Sequence, residues 1–232
     1  MTATATLVLR LAAPMQAWGT TSRFADRATD MVPSKSGVIG LIMAALGAAR
    51  DDHATIEMLA KTRFAVRVDS PGVIEHDLQT ARNGDDVFPL SQRAYLADAV
   101  FVAFIEFEHA GDARAVAEAL NHPIFTPYLG RKAFLPTGPL VLGVHDGPIE
   151  PLLTEVSHQG RAHYSVHVSC EVHIDADSSA YDRVVRDVPV SFAGKKHRDR
   201  FVKITAVQVV NENAAADSRA WFDTFFEALP RV

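Results

Sequence analysis

From Gly37 to Ala49 the chain reads GVIGLIMAALGAA, without a single polar side chain. A helix written in these residues has no face to offer water and must be covered on most sides, while it is too short to span a bilayer. The rest of the fold has to be arranged around it. Within it Gly37, Gly40, Ala44 and Gly47 recur at helical spacing, leaving a stripe almost bare of side chains, along which the backbone is expected to lie close against a sheet. Each glycine costs up to about 1 kcal/mol of helix propensity, which close packing must offset.

What precedes this helix is a strand and a long loop. Leu7 to Leu11 is an apolar run broken only by Arg10, suited to an interior strand. Pro14 stops it, and Met15-Gln16-Ala17-Trp18-Gly19 shows neither a helical nor a strand period. The loop stays polar through Arg23, Asp26, Arg27 and Asp30 as far as Pro33-Ser34-Lys35-Ser36. Two readings of this helix head are open. Ser34 or Ser36 caps it, accepting from its orphan amides. Alternatively, those amides, the positive end of the helix dipole and the Lys35 ammonium, which contributes to no cap, together take a phosphate. No GxxxxGK[ST] pattern occurs, so this is not a nucleotide-triphosphate loop.

Further along, Ala54 to Lys61 reads as a short helix that turns Ile56 and Leu59 inward, and Phe64 to Val68 alternates as a half-buried strand should. The segment from Asp69 to Arg93 breaks the pattern with Ser70-Pro71-Gly72 and an Asn-Gly signal, and is expected to be a projecting hairpin or a mobile loop. Its Arg82 and Arg93 read as solvated charges or as RNA contacts. Ala97 to Phe107 is a strand covered on both faces, with Val100, Val102 and Phe104 on one and Phe101, Ala103, Ile105 and Phe107 on the other. Asp112 to Leu120 is a helix burying Ala113, Val116, Ala117 and Leu120, and Leu140 to Val144 is a further strand. The order strand, helix, strand, strand, helix, strand is compatible with a ferredoxin-like βαββαβ unit in an α+β protein.

The second half, from residue 147 onward, is expected to form a small antiparallel β-domain ending in a short helix, separate from a first domain of residues 1–146. His163 to Ile174 alternates, placing His163, His167 and His173 on one face. His163 and His167 would lie roughly 13 Å apart along a strand and cannot share one ion, so no metal and no cofactor are expected. Val184 to Phe192 and Phe201 to Val210 are further strands, and Trp221, Phe222, Phe225, Phe226 and Leu229 stripe a terminal helix as core or as a docking face.

Charge narrows the function. At 232 residues and 48% hydrophobic content the chain can bury a substantial core, yet its net charge of −5 argues against a general nucleic-acid binder, which is normally basic. The charge is unevenly spread, however. Arg131-Lys132 and the run from Lys195 to Lys203 stand apart from the acidic pairs Asp51-Asp52 and Asp85-Asp86. A local basic groove on an acidic body is the arrangement this allows. In Thr126-Pro-Tyr-Leu-Gly-Arg-Lys132, Tyr128 offers a ring for a base, Gly130 lets backbone approach a phosphate, and Arg131 and Lys132 supply charge. A proline-rich connection with Tyr128 tucked into the core is the competing account. Lys195, Lys196 and Arg198 form the densest positive run, read as a turn between two strands that either is solvated or reaches an RNA backbone. The single cysteine, Cys170, rules out an intrachain disulfide, and Met1 to Thr6 is too short for a signal peptide.

LRLAAPMQAWG, at 9–19, and PSKSGVIGLIMAALG, at 33–47, together with Phe64-Ala-Val-Arg67, Tyr95-Leu-Ala-Asp-Ala99 and Thr126 to Lys132, resemble in the same order the CasD family. These are the RAMP-superfamily subunits that hold the 5′ handle of the guide RNA in type I-E CRISPR Cascade complexes. The resemblance implies an RNA-recognition-motif-like first domain and a cytoplasmic, non-catalytic role in antiviral defence. It implies partnership with the crRNA 5′ handle, the Cascade backbone subunit and the Cascade large subunit, with no membrane and no obligate homo-oligomer. Candidate RNA contacts are then Ser34, Lys35 and Ser36, Tyr128, Gly130, Arg131 and Lys132, and Lys195, Lys196 and Arg198, with Gln16, Trp18 and Arg23 as weaker ones. The alternative is a metal-independent endoribonuclease that processes CRISPR precursor RNA, in which His197 beside Lys195 and Lys196 would supply acid and base.

Overall fold

A computed structural model of the chain describes residues 4–19, 26–80, 82–84, 86–87, 90–160, 165–212 and 214. In chain order the elements are β1 (Ala5–Ala12), β2 (Met15–Gln16), β3 (Asp26–Arg27), α1 (Lys35–Leu46), α2 (His53–Lys61), β4 (Arg63–Ser70) and β5 (Val73–Gln79). There follow β6 (Arg82–Asn83), β7 (Asp86–Val87), β8 (Ser91–Ala97), β9 (Val100–Phe107), α3 (Ala110–Asn121), β10 (Val141–Asp146) and α4 (Ile149–Glu155). The last are β11 (His167–Asp175), β12 (Arg183–Ser191) and β13 (Lys196–Val210).

Seven strands form one antiparallel sheet in the order β10-β1-β9-β4-β11-β13-β12. β1 is interior, as its run of apolar residues requires, with β9 on one side and β10 on the other. The second half does not begin a sheet of its own, because β11 pairs with β4 from Glu171–Val68 to Ile174–Ala65 and so continues the sheet of the first half. The Asp69 to Arg93 segment contains a hairpin, with β5 antiparallel to β8 along its whole length. β2 and β3 add to β8, and β6 pairs with β7.

Both faces of the sheet are covered. On one, Leu7, Leu9, Leu11, Phe64, Val66, Phe101, Ala103, Ile105 and Phe107 pack against Val38, Ile39 and Ile42 of α1, Ile56 and Leu59 of α2 and Val116 and Leu120 of α3. On the other, Val8, Ala65, Val102, Phe104, Val172 and Ile174 meet Ile149, Leu152 and Leu153 of α4. Fully buried side chains of this size contribute roughly 1.5–3 kcal/mol each. The division of β9 into two apolar faces is therefore as its alternation indicates.

Several expectations are corrected. The strand read from Ala97 to Phe107 starts at Val100 instead, since Ala97 ends β8 in the other sheet and Asp98, between them, takes φ 60° and donates its N–H to the Pro14 carbonyl at 3.0 Å. Lys196 to Arg200 belong to β13, so the turn is confined to Phe192–Lys195, with Lys195 at φ 49°. α4 escapes the sequence reading because so short a helix gives little period to detect. The small-residue stripe of α1 does not lie on a sheet. Gly37 lies against the Trp18 ring, where a Cβ would come within 2.9 Å of Cε3, and Gly40 faces Phe192. Gly47 ends the helix in the left-handed conformation at φ 69°, its N–H donating to the Ala44 carbonyl, a role that only glycine fills without strain.

Arg67 also departs from expectation. On an alternating strand it should face solvent, yet it is fully buried. Its guanidinium donates to Asp69 Oδ1 and Oδ2 at 2.7 and 2.9 Å, and to the carbonyls of Leu153, Val156 and Ser157 at 2.9, 2.7 and 3.0 Å. All its donors are thereby used, and the carbonyls at the end of α4 find partners. Trp221 to Leu229, Arg23 and His163 lie outside the described residues. Of the other two histidines, His167 is exposed and His173 Nε2 sits 2.6 Å from Glu171 Oε1.

Candidate nucleic-acid interface

The head of α1 is built by capping, and the phosphate reading fails there. Ser34 is the N-cap, its Oγ accepting from the Gly37 N–H at 3.2 Å. Lys35 is turned inward and only 4% exposed. Its ammonium donates to the Thr62 carbonyl and to Asp175 Oδ2 at 3.2 Å, and its backbone N–H donates to Asp187 Oδ2 at 2.8 Å. Arg200 closes the network, with Nε and Nη2 on Asp187 at 2.6 and 3.0 Å and Nη1 on Asp175 at 2.8 Å. Burial pushes the Lys35 ammonium below its ordinary pKa despite Asp175. Burial also opposes the charge on Arg200, but the hydrogen bonds and charges of Asp187 and Asp175 outweigh it and raise its pKa. The dipole of α1 thus meets a carboxylate of the chain itself, and Lys35 is removed from the candidate contacts.

Gln16 and Trp18 are core residues for a similar reason. Gln16 is fully buried, its Nε2 donating to the Ala99 carbonyl at 2.8 Å, and Trp18, 2% exposed, donates Nε1 to Gln16 Oε1 at 2.8 Å. Each satisfies the polar group of the other, and their exposure is too low for base stacking.

The remaining loop residues come together. α1 and the segment after α3 enclose an open groove of about 1080 Å³, into which Ser36, Tyr128, Gly130, Arg131 and Lys132 face. Trp18 and Ser34 reach its floor, and Gly40 and Ala44 form part of its wall, so the bare stripe of α1 widens this groove. Tyr128 is half-buried, Gly130 and Lys132 are exposed, and Arg131 lies between, its guanidinium 5.6 Å from the centre of the Tyr95 ring. Arg131 Nε is buried without a hydrogen-bond partner among the described residues. Gly130 is required by the fold rather than by a ligand. At φ 91° a Cβ would stand 1.9 Å from the Ala17 carbonyl oxygen, and the Ala17 N–H donates to Leu129 at 3.1 Å. This junction fastens the loop to the segment after β1 and so sets the direction of Arg131.

Sequence reasoning missed Arg27, Arg50, Phe125 and Phe192, which also line the groove. Phe125 is 59% exposed, and its place directly before Thr126 was the only local signal. Arg82 and Arg93 do not face the groove. Lys195 and Lys196 lie elsewhere, around a depression of about 780 Å³ that His197 also lines. Arg198 stands near α2, where Lys61 chiefly, and Arg198 to a lesser degree, hold Glu57 below the usual carboxylate range.

Fold and groove define an α+β protein with an open, cation-rimmed and partly aromatic cleft, chemically matched to a flexible polyanion rather than to an enclosed small molecule. Comparison with known proteins gives the family. The profile of the family described as CRISPR-associated protein (Cas_Cas5) matches residues 6–203. The CRISPR system Cascade subunit CasD of Escherichia coli (strain K12) is 37% identical over 158 residues, which cover 59% of this chain and 70% of that protein. A solved structure described as a CRISPR RNA-guided surveillance complex contains a chain 31% identical with a TM-score of 0.73, covering 96% of this chain and 98% of that one. The crystal structure of a Cas protein matches with 32% identity and a TM-score of 0.70, covering 90% and 99%. The chain belongs to the Cas5 family of CRISPR-associated proteins.

Proposed function

We propose that this chain is a non-catalytic, RNA-binding Cascade subunit that holds the 5′ handle of a crRNA in the groove between α1 and the loop after α3. It joins the repeated backbone subunit to the large subunit of a surveillance complex, acts in the cytoplasm and needs no cofactor. The observation that carries this reading is the convergence of Ser36, Tyr128, Arg131 and Lys132 with Arg27, Arg50 and Phe125 on one open groove. Cations would hold phosphates there and rings would stack on bases. The order β10-β1-β9-β4, with α1 after β1 and α3 between β9 and β10, supports a ferredoxin-like, RAMP-type core for the first half. His197 lines the smaller depression and not the groove, so the candidate acid and base of the ribonuclease alternative are not among the residues proposed to hold the handle.

The test compares RNA carrying the 5′ handle with RNA lacking it, using the purified chain. Wild type should favour the handle RNA. Arg131→Ala with Lys132→Ala should weaken its capture and lower the log-log salt slope by about 1.4, about 0.7 for each lost phosphate contact on a single strand. Equal affinity for the two RNAs, or an unchanged slope, would overturn the assignment.

A further inference from the structure

We propose that the basic depression on β12 is a second phosphate-binding site, which takes the backbone of the same RNA strand after it leaves the groove. This rests on the reading of the groove just given. Phe192 belongs to the wall of the groove and Lys195 to the lining of the depression, so the turn between β12 and β13 is the ridge between the two sites. Three residue steps separate them, a span of at most about 10 Å.

β12 is the outermost strand of the large sheet. It displays the exposed Arg183 and Arg186, which with Lys195 and Lys196 surround the depression. Among the described residues that line it there is no carboxylate. Arg186 donates to the His197 carbonyl at 3.3 Å and pairs with Asp199 across the strands at 3.8 Å, so the positive charge of the depression is carried chiefly by Arg183, Lys195 and Lys196. On a chain with a net charge of −5 this is a local reversal of sign. The apolar lining is Val184, Val185 and Val190, with no phenylalanine, tyrosine or tryptophan ring among the described residues. His197 is the one ring-bearing side chain among the described lining residues, so the site is chiefly one of cations that hold phosphates, and it lengthens the footprint while adding little base preference.

The test measures binding of the purified chain to two handle-bearing RNAs, of about 6 and about 16 nucleotides, the span of site sizes common for single-strand binders, and to duplex DNA. Lys195→Gln with Lys196→Gln, and separately Arg183→Gln with Arg186→Gln, should each weaken capture of the longer RNA several-fold and flatten its salt slope by about 1.4. Both should leave the shorter RNA unaffected and the melting temperature unchanged, since these side chains are exposed. Equal losses on both RNAs would reduce the effect to general electrostatics and overturn the proposal, as would an unchanged affinity for the longer RNA. A loss confined to duplex DNA would assign the depression to a different strand and overturn it as well. Arg131→Ala with Lys132→Ala reports on the groove separately. If that variant binds both RNAs like wild type, the groove reading itself fails, and the continuity on which the second site depends fails with it.

Discussion

Asp187 Oδ2 accepts a hydrogen bond from the backbone N–H of Lys35 at 2.8 Å across 152 positions of sequence. An amide at the head of α1, where an external anion would bind, is thereby occupied by the chain's own carboxylate. The same carboxylate, with Asp175 and Arg200, ties the strands β11, β12 and β13 to the first helix.

Lys35→Ala should therefore destabilise the protein by about 3 kcal/mol, because it leaves the Thr62 carbonyl without its donor and unbalances a buried ion network. Lys35→Met, which restores apolar volume, should cost less. Urea denaturation measures both. A melting curve for Lys35→Ala superimposable on wild type would contradict the buried geometry.

The two serines should separate. Ser34→Ala should cost about 1 kcal/mol as the loss of an N-cap. Ser36→Ala removes no cap and should stay within about 0.5 kcal/mol of wild type in stability, while weakening capture of handle RNA. Thermal melts alongside binding titrations distinguish them, and the reverse ranking in stability would show that the cap is misassigned.

Arg67→Met should cost about 3–5 kcal/mol, since Asp69 would be left buried without its cation and three carbonyls would lose donors. Arg67→Lys should rescue little, because an ammonium cannot reproduce the five-donor fork. Full rescue by lysine in denaturant titrations would argue that charge alone matters here.

Gly130→Ala should lose at least about 1 kcal/mol, from a positive φ and from collision with the Ala17 carbonyl. Because the loop would have to move, affinity for handle RNA should fall together with stability. A variant that keeps wild-type stability and loses binding would instead give the glycine a direct role at the ligand.

The Cys170 thiol is raised from 9.0 to about 11 by burial, with the Asp69 charge adding to the effect and Arg67 opposing it. The native thiol should alkylate slowly at about pH 8, since little thiolate is present. Its contribution to stability is complete below pH 9.0 and is lost as pH rises toward about 11, because the unfolded chain releases the proton first. Cys170→Ala should remove that component of the alkaline decline in urea melts taken across this range. An identical decline in the variant would assign it to other groups.

The groove was partly legible in the sequence. Tyr128, Arg131 and Lys132 could be chosen because a ring and two cations beside a glycine and two prolines form a surface loop with recognisable chemistry. Arg27, Arg50 and Phe192 could not, since they come from three separate segments and converge only when α1 and the β12–β13 turn are in place. Lys35 was misread because nothing local distinguishes an ammonium bound for solvent from one buried under a strand.

What the sequence determined by itself was whatever depends on neighbours along the chain. It specified an all-apolar helix that must be buried, an interior first strand, the two faces of β9 and the serine-flanked helix head, and it left the segment after β4 open between a hairpin and a loop. Tertiary structure alone decided which groups meet. The pairing of β11 with β4 brought Asp175 to Phe64 and Lys35, and that of β12 with β13 set Asp187 against Arg200. The physical reason is that a buried charge needs partners contributed by register and packing across many residues, and these distances are not written in the local pattern of any one segment.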